Sequence, residues 1–191
     1  MKARHNIRAA VLIAALAAAP ALHAAEVAGV QVEERIRVGA QELHLNGAGI
    51  RSKLFIKVYV GALYTGARMT TPEAVYEAPG PRRISLHLLR DLDAQTLHEA
   101  LEEGLRNNLS AAELEALKAP AGQLAALMKS IGKVRSGAVV AIDFGADGIV
   151  LSLDGAPRGQ VAGDAFARAL LRVWLGDKPA DADLKKALLG G

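Results

Sequence analysis

The stretch LNGAGIRSKLFIKVYVGALY, residues 45–64, places Arg51 in a glycine-rich bend ahead of a long amphipathic extended segment. We interpret residues 50–64 as one strand, along which successive side chains point to opposite faces. The even positions are mostly apolar and suit a core: Ser52, Leu54, Ile56, Val58, Val60 and Ala62. The odd positions are Arg51, Lys53, Phe55, Lys57, Tyr59 and Gly61. The odd face either looks at water, as half-buried antiparallel sheets commonly do, or carries a site, and one bulge would exchange the two faces.

The first 24 residues, MKARHNIRAAVLIAALAAAPALHA, have the parts of a secretory signal peptide: a basic start, an apolar run and small residues before a cleavage point. The apolar run, residues 9–19, is shorter than the roughly 20 residues that span a bilayer, so a cleaved leader is favoured over a retained anchor. We expect cleavage after Ala24 or Ala25 and export. The mature chain, residues 25–191, has the size of one domain.

Charge and cysteine content exclude several classes of function. The leader holds Lys2, Arg4 and Arg8 out of 23 basic residues and none of the 20 acidic ones, so the mature chain is formally neutral. This balance gives no reason to expect nucleic acid or an anionic membrane surface as a partner. The chain has no cysteine, which excludes disulfides and thiolate chemistry. His44, His87 and His98 lack metal-ligand spacing, so we expect no metal and no cofactor.

Local signals predict strands, then helices, then a hairpin and further helices. The predicted strands are residues 27–38, 42–45, 50–64, 82–89, 138–144, 148–153 and 159–161. The predicted helices are residues 72–76, 94–107, a helix from 110 that Pro120 and Gly122 interrupt, 123–131, 165–175 and a last helix to 189. Their predicted caps are Thr71, Asp93, Ser110, Asp164 and Asp181. This order predicts an α+β fold with a mainly antiparallel sheet and helices on one side.

Two tempting motifs fail because of their context. Gly47-Ala48-Gly49 begins like a dinucleotide fingerprint, but the third glycine is missing and a strand follows where a helix is required. None of the serines has the glycine pattern of a nucleophile elbow. Neither dinucleotide binding nor serine hydrolysis is expected.

The chain resembles the chalcone isomerase-like family, whose members carry a G-A-G-x-R turn before a strand of the K-x-Y/T-x-x-x-x-Y kind. The matching residues are Gly47, Ala48, Gly49, Arg51, Lys57, Tyr59 and Tyr64. The resemblance continues through residues 84–105, 139–155 and 163–190. The closing segment is similar to the secreted bacterial branch, which implies a periplasmic location. The family implies an open-faced β-sandwich in which a ligand cleft lies between a large antiparallel sheet and a helical layer.

The resemblance also implies a function for Arg51. A guanidinium on rigid backbone suits a carboxylate, and a tyrosine hydroxyl on the same face adds a hydrogen bond. The fatty-acid-binding branch of the family pairs such an arginine with a tyrosine, as Arg51 and Tyr59 do here. The resemblance therefore implies a non-catalytic binder of a fatty acid or similar amphipathic carboxylate. The candidate ligand-binding residues are Arg51, Phe55, Tyr59, Tyr64, Leu97 and Leu101.

Two other functions remain open at this point. The chain could be an intramolecular lyase or isomerase with Arg51 and Tyr59 as catalytic residues, although Leu97 and Gly104 stand where chalcone isomerases carry a tyrosine and an asparagine. It could instead be a protein-interaction module anchored by Trp174 and Phe166, which on a helix are more often core residues. We expect a monomer.

Overall fold

The computed structural model describes residues 24–191, so the predicted leader lies outside the described residues except for Ala24. The strands are β1 (Ala24–Val27), β2 (Val30–Glu33), β3 (Arg35–Val38), β4 (Gln41–Lys53), β5 (Ile56–Thr65), β6 (Arg82–Leu88), β7 (Leu92–Asp93), β8 (Lys133–Val134), β9 (Val139–Gly145), β10 (Gly148–Leu153) and β11 (Ala156–Ala162). The helices are α1 (Pro72–Glu77), α2 (Ala94–Asn108), α3 (Ala111–Ala116), α4 (Lys118–Ile131), α5 (Asp164–Leu175) and α6 (Ala182–Leu188).

Seven strands form one antiparallel sheet in the order β11-β10-β9-β6-β5-β4-β3. Helices α2, α4 and α5 cover one face of this sheet, and α6 packs on β4 and β5. The β1–β2 hairpin covers a second, smaller core on the opposite face. The predicted α+β class, an open-faced sandwich with a helical layer on one side, is confirmed.

The prediction of a single strand over residues 50–64 is wrong. β4 ends at Lys53 and β5 begins at Ile56, and these two residues pair across a two-residue turn made by Leu54 and Phe55. Both turn residues have positive φ, 49° for Leu54 and 66° for Phe55. Such turns normally use Asn-Gly or Asp-Gly, so this sequence carries no local turn signal.

The prediction of a glycine-rich bend at Arg51 is also wrong, because Gly47, Gly49 and Arg51 all lie inside β4. Helix α6 lies directly on them. A Cβ at Gly47 would be 2.0 Å from the carbonyl oxygen of Ala187, and one at Gly49 would be 2.6 Å from the Ala187 Cβ. These glycines therefore permit the close approach of a helix to the sheet.

Helix starts follow the sequence signals in most cases. Thr71, Asp93, Ser110 and Asp181 cap their helices through side-chain hydrogen bonds as predicted. The cap at Asp164 is wrong by one residue, since Gly163 is the N-cap and Asp164 lies in the first turn. The interruption predicted at Pro120 falls instead at Leu117, because proline is tolerated in the first turn of α4, where its missing N–H breaks no helical bond.

The predicted strand 27–38 is divided into three. Ala28 and Gly29 form a turn with positive φ between β1 and β2, and Glu34 separates β2 from β3. The turn predicted at residues 39–40 is confirmed between β3 and β4. No helix within residues 24–191 is long and apolar enough to cross a bilayer.

Candidate functional site

Arg51 and Tyr59 lie directly opposite each other on β4 and β5. Opposed residues of an antiparallel pair share one face, and here the guanidinium carbon of Arg51 is 5.7 Å from the centre of the Tyr59 ring, a cation–π contact. The single strand predicted from the sequence also placed both residues on one face, as two of its odd-numbered positions. The hairpin keeps the shared face because an irregularity between Arg51 and Ser52 shifts the register by one residue, so that Arg51 pairs with Tyr59 and not with Val58.

Trp174 on α5 completes this group. Its indole Nε1–H donates a hydrogen bond of 2.9 Å to the Tyr59 hydroxyl, and both side chains are buried. The hydroxyl thus accepts from Trp174, and its own proton is donated to no residue that the structure describes. A buried O–H with that free proton is a donor for a ligand oxygen.

The pKa of Tyr59 is raised from 10.0 to about 12. Burial is the main cause, since it penalises the phenolate, and the Asp181 carboxylate raises the pKa further. The Arg51 charge and the Trp174 hydrogen bond act in the opposite direction. Tyr59 therefore remains a neutral hydroxyl at physiological pH.

Asp181 fixes the strand beside Arg51. One carboxylate oxygen accepts from the backbone N–H of Ser52 at 3.0 Å, and the other accepts from the N–H of Leu184 as the cap of α6. The guanidinium of Arg51 itself makes no hydrogen bond or ion pair with any residue in the range 24–191. The paired strand fixes the backbone of Arg51, and the guanidinium lies over the Tyr59 ring while its hydrogen-bond donors stay free.

A narrow cavity lies behind Arg51, between the sheet and helices α2, α4 and α5. Its volume is about 20 Å³, enough for one water-sized sphere. The described lining is Arg51, Tyr59, Leu86, Leu97, Ala100, Leu101, Met128, Val140, Ile142, Leu151, Val173, Trp174 and Ala180. Only Arg51, Tyr59 and Trp174 bring polar side-chain atoms to this inner cavity.

A larger outer cleft of about 540 Å³ opens on the other side of Arg51. Its described lining is Arg51, Lys53, Leu54, Ile56, Val58, Arg90, Leu92, Thr96, Leu97, Glu99, Ala100, Glu103 and Arg106. Arg51, Leu97 and Ala100 border both spaces, and we call these three residues the neck. The volume of the outer cleft lies within the usual range for small-molecule sites.

The structure brings together four of the six predicted ligand-binding residues: Arg51, Tyr59, Leu97 and Leu101. It does not bring Phe55 to them, because that side chain projects fully exposed from the hairpin turn. Tyr64 is buried in the smaller core on the opposite face of the sheet. The turn at Leu54 and Phe55 and the pleat of β5 account for both placements.

Trp174 was missed as a site residue. The sequence offered it only as an interaction anchor or a core residue, and the contact with Tyr59 spans 115 positions. No local pattern indicates such a pairing. Phe166, the other aromatic residue of α5, is fully buried in the main core.

Three comparisons with known proteins bear on this geometry. A family model described as chalcone isomerase-like matches residues 24–190. The crystal structure of a fatty-acid binding protein from Arabidopsis thaliana superposes with a TM-score of 0.66 at 16% sequence identity, covering 84% of this chain and 92% of that one. No curated protein matches the sequence. At this identity the structural likeness establishes the fold alone.

Proposed function

This chain belongs to the chalcone isomerase-like family, and on that premise we propose that it is a non-catalytic binder of a fatty acid or similar amphipathic carboxylate. The observation that carries the proposal is a pair of free donors beside the inner cavity, one of them at the neck. Arg51 offers an unpartnered guanidinium and Tyr59 an unpartnered hydroxyl proton, beside a cavity that is otherwise apolar. The similarity in fold to a plant fatty-acid binding protein supports the same function.

The carboxylate is the part of the ligand that Arg51 and Tyr59 recognise. A guanidinium fork binds a carboxylate through charge-assisted hydrogen bonds, which are stronger than neutral ones. The pKa of about 12 keeps the Tyr59 hydroxyl protonated, so it donates to the ligand at neutral pH. The indole of Trp174 holds that hydroxyl in position by occupying its acceptor side.

The apolar tail enters the inner cavity past Leu97 and Leu101. Because the cavity of about 20 Å³ is far smaller than an alkyl chain, side chains of the lining move when a tail enters. Met128 is suited to this movement, since its unbranched thioether side chain adapts to irregular space at little cost. The helical layer and the sheet then enclose the tail.

Binding is favoured over catalysis by the chemistry of the lining. Among the described residues that line the inner cavity there is no carboxylate, histidine or lysine that could act as a general base. Leu97 lines the neck where chalcone isomerases carry a polar residue, and at Gly104 a Cβ would lie 2.6 Å from Val173. The proposal includes export to the periplasm, which rests on the leader pattern of residues 1–24.

The test uses Trp174, the only tryptophan of the chain, as a fluorescent reporter at the site. Saturated fatty acids of increasing length and their methyl esters are titrated into the wild-type protein, Arg51→Ala and Arg158→Ala. Arg158 is an exposed residue of β11 and serves as the control. We expect Arg51→Ala to weaken acid binding by roughly 10- to 100-fold, the value of a charge-assisted pair, and to abolish the preference for acid over ester.

Met128→Ala tests where the tail lies, because Met128 borders the inner cavity and not the outer cleft. If the tail lies in the inner cavity, Met128→Ala enlarges that cavity and strengthens the binding of long acids. Leu92→Ala, in the outer cleft, leaves the binding of long acids unchanged. A folded Arg51→Ala protein that binds acids with wild-type affinity overturns the proposal.

A further inference from the structure

The tip of the β4–β5 hairpin, residues Lys53, Leu54, Phe55, Ile56 and Lys57, exposes an unusual amount of apolar surface. Leu54 is 82% exposed, Phe55 101% and Ile56 51%. Three consecutive large apolar side chains in water form a contiguous patch, which on a monomer usually marks an interaction site. We call these five residues the hairpin tip.

Stability does not account for these residues. Leu54 and Phe55 hold positive φ, a conformation that disfavours side chains with a Cβ. Asn-Gly fits this turn without strain and without exposing apolar surface. Large apolar residues at both positions therefore oppose both folding and solubility, and strain of this kind is characteristic of functional segments.

The hairpin tip is flanked by positive charge. Lys53 and Lys57 stand on either side of the apolar residues, and both are exposed. The adjoining outer cleft adds three arginines and two glutamates: Arg51, Arg90, Arg106, Glu99 and Glu103. Although residues 25–191 are formally neutral, this surface carries an excess of cations. The net charge of the chain therefore does not reveal this local excess of positive charge.

The hairpin tip also forms one lip of the outer cleft. Lys53, Leu54 and Ile56 line that cleft from the sheet, and α2 lines it from the opposite side. Any surface that the hairpin tip touches therefore lies beside the entrance that leads to the neck at Arg51.

We propose that the hairpin tip docks on an anionic lipid bilayer. Leu54 and Phe55 insert at the boundary between headgroups and acyl chains, where aromatic and aliphatic side chains are stable, and the two lysines bind lipid phosphates. Docking itself does not depend on ligand binding. The further consequence, that an amphipathic acid passes between bilayer and outer cleft without crossing water, rests on the proposed function.

Flotation with lipid vesicles tests the docking. The processed, exported protein is mixed with vesicles of phosphatidylcholine alone or with phosphatidylglycerol added. We expect the wild-type protein to bind the phosphatidylglycerol vesicles. In Leu54→Asn/Phe55→Gly this binding should fall at least about tenfold, because the two apolar side chains that would insert into the bilayer are lost. That variant suits the turn, so it folds. Lys53→Gln and Lys57→Gln each lower binding by about fivefold, and only on anionic vesicles.

Val150→Asn is the matched control, because Val150 is the other large apolar residue exposed in the described part and lies on β10, away from the hairpin tip. It should bind vesicles like the wild type. A wild-type protein that ignores anionic vesicles, or a folded Leu54→Asn/Phe55→Gly variant that binds them normally, overturns the proposal. Fatty-acid titration of Trp174 fluorescence without vesicles is a separate measurement, so failure of docking and failure of ligand binding are distinguishable.

Discussion

Trp174 donates its indole N–H to the hydroxyl of Tyr59 at 2.9 Å, which ties α5 to β5 at the centre of the candidate site. Both side chains are buried, so water cannot replace either partner. The ring of the same tyrosine lies against the guanidinium of Arg51 across the hairpin. One hydrogen bond thus contributes to the packing of helix on sheet and also orients the second ligand donor.

Removing the Tyr59 hydroxyl should cost more stability than removing another buried tyrosine hydroxyl. In Tyr59→Phe the indole N–H of Trp174 loses its acceptor, and a buried orphan donor costs about 1–3 kcal/mol in the free energy of unfolding. Urea denaturation measures this loss. Tyr76→Phe is the control, since the Tyr76 hydroxyl is buried without a partner in the described part, and its removal should be close to neutral. Equal losses in the two variants would contradict the role assigned to this bond.

The protein should lose stability as pH rises above 10. Burial raises the pKa of Tyr59 and of Tyr76 from 10.0 to about 12, and it raises the pKa of Tyr64 as well. The unfolded chain therefore releases tyrosine protons near pH 10, whereas the native chain holds them until about pH 12, so the free energy of unfolding falls across that window. Below pH 10 these tyrosines cause no such loss.

The measurement is a tyrosinate absorbance titration of native and urea-unfolded protein. The unfolded chain should titrate near pH 10, and the native protein should show tyrosinate only at higher pH. Tyr76→Phe should make the fall in stability less steep. Native tyrosines that titrate near pH 10 would show that the phenols are not buried as described.

Sequence signals of short range predicted much of this fold. Thr71, Asp93, Ser110 and Asp181 were identified as caps because a capping residue and the N–H groups that it satisfies lie within one turn. The β9–β10 hairpin followed from its alternation and its glycines. The family resemblance added the sheet-and-helix layering, which local signals alone leave open.

Long-range and strained features could not be predicted in the same way. The turn at Leu54 and Phe55 was missed because neither residue favours positive φ, and so two strands looked like one. Gly47 and Gly49 were taken for a bend because the helix that needs them lies about 140 residues away in sequence. Trp174 was missed for the same reason, because its contact with Tyr59 spans 115 positions in sequence. The sequence predicted Arg51 and Tyr59 as site residues. It could not predict how the site is enclosed, because tertiary contacts form that enclosure.

Gly47→Ala should destabilise the protein strongly. The new Cβ would lie 2.0 Å from the carbonyl oxygen of Ala187, a backbone atom that cannot rotate away, so α6 must shift from β4. We expect a loss of about 3 kcal/mol, at the upper end for overpacking, in urea denaturation. Gly122→Ala is the control: it lies inside α4 with open space around it, and alanine there should stabilise the protein by up to about 1 kcal/mol. A neutral Gly47→Ala would mean that α6 does not lie on β4.

Relieving the strain in the hairpin tip should stabilise the protein, even though we expect the same change to weaken docking at least about tenfold. Leu54→Asn/Phe55→Gly places residues that tolerate positive φ at both turn positions, which should add about 2 kcal/mol and raise Tm by about 4–8 °C in a domain of this size. Ala146→Asn/Asp147→Gly is the control, because the turn between β9 and β10 has no positive φ at either position, and it should bring no gain. A higher Tm together with lost vesicle binding would mean that the apolar turn was retained for its surface at the expense of stability. If Tm is unchanged, backbone strain at the hairpin tip does not support a function there. Only the exposure of its apolar side chains would then support one.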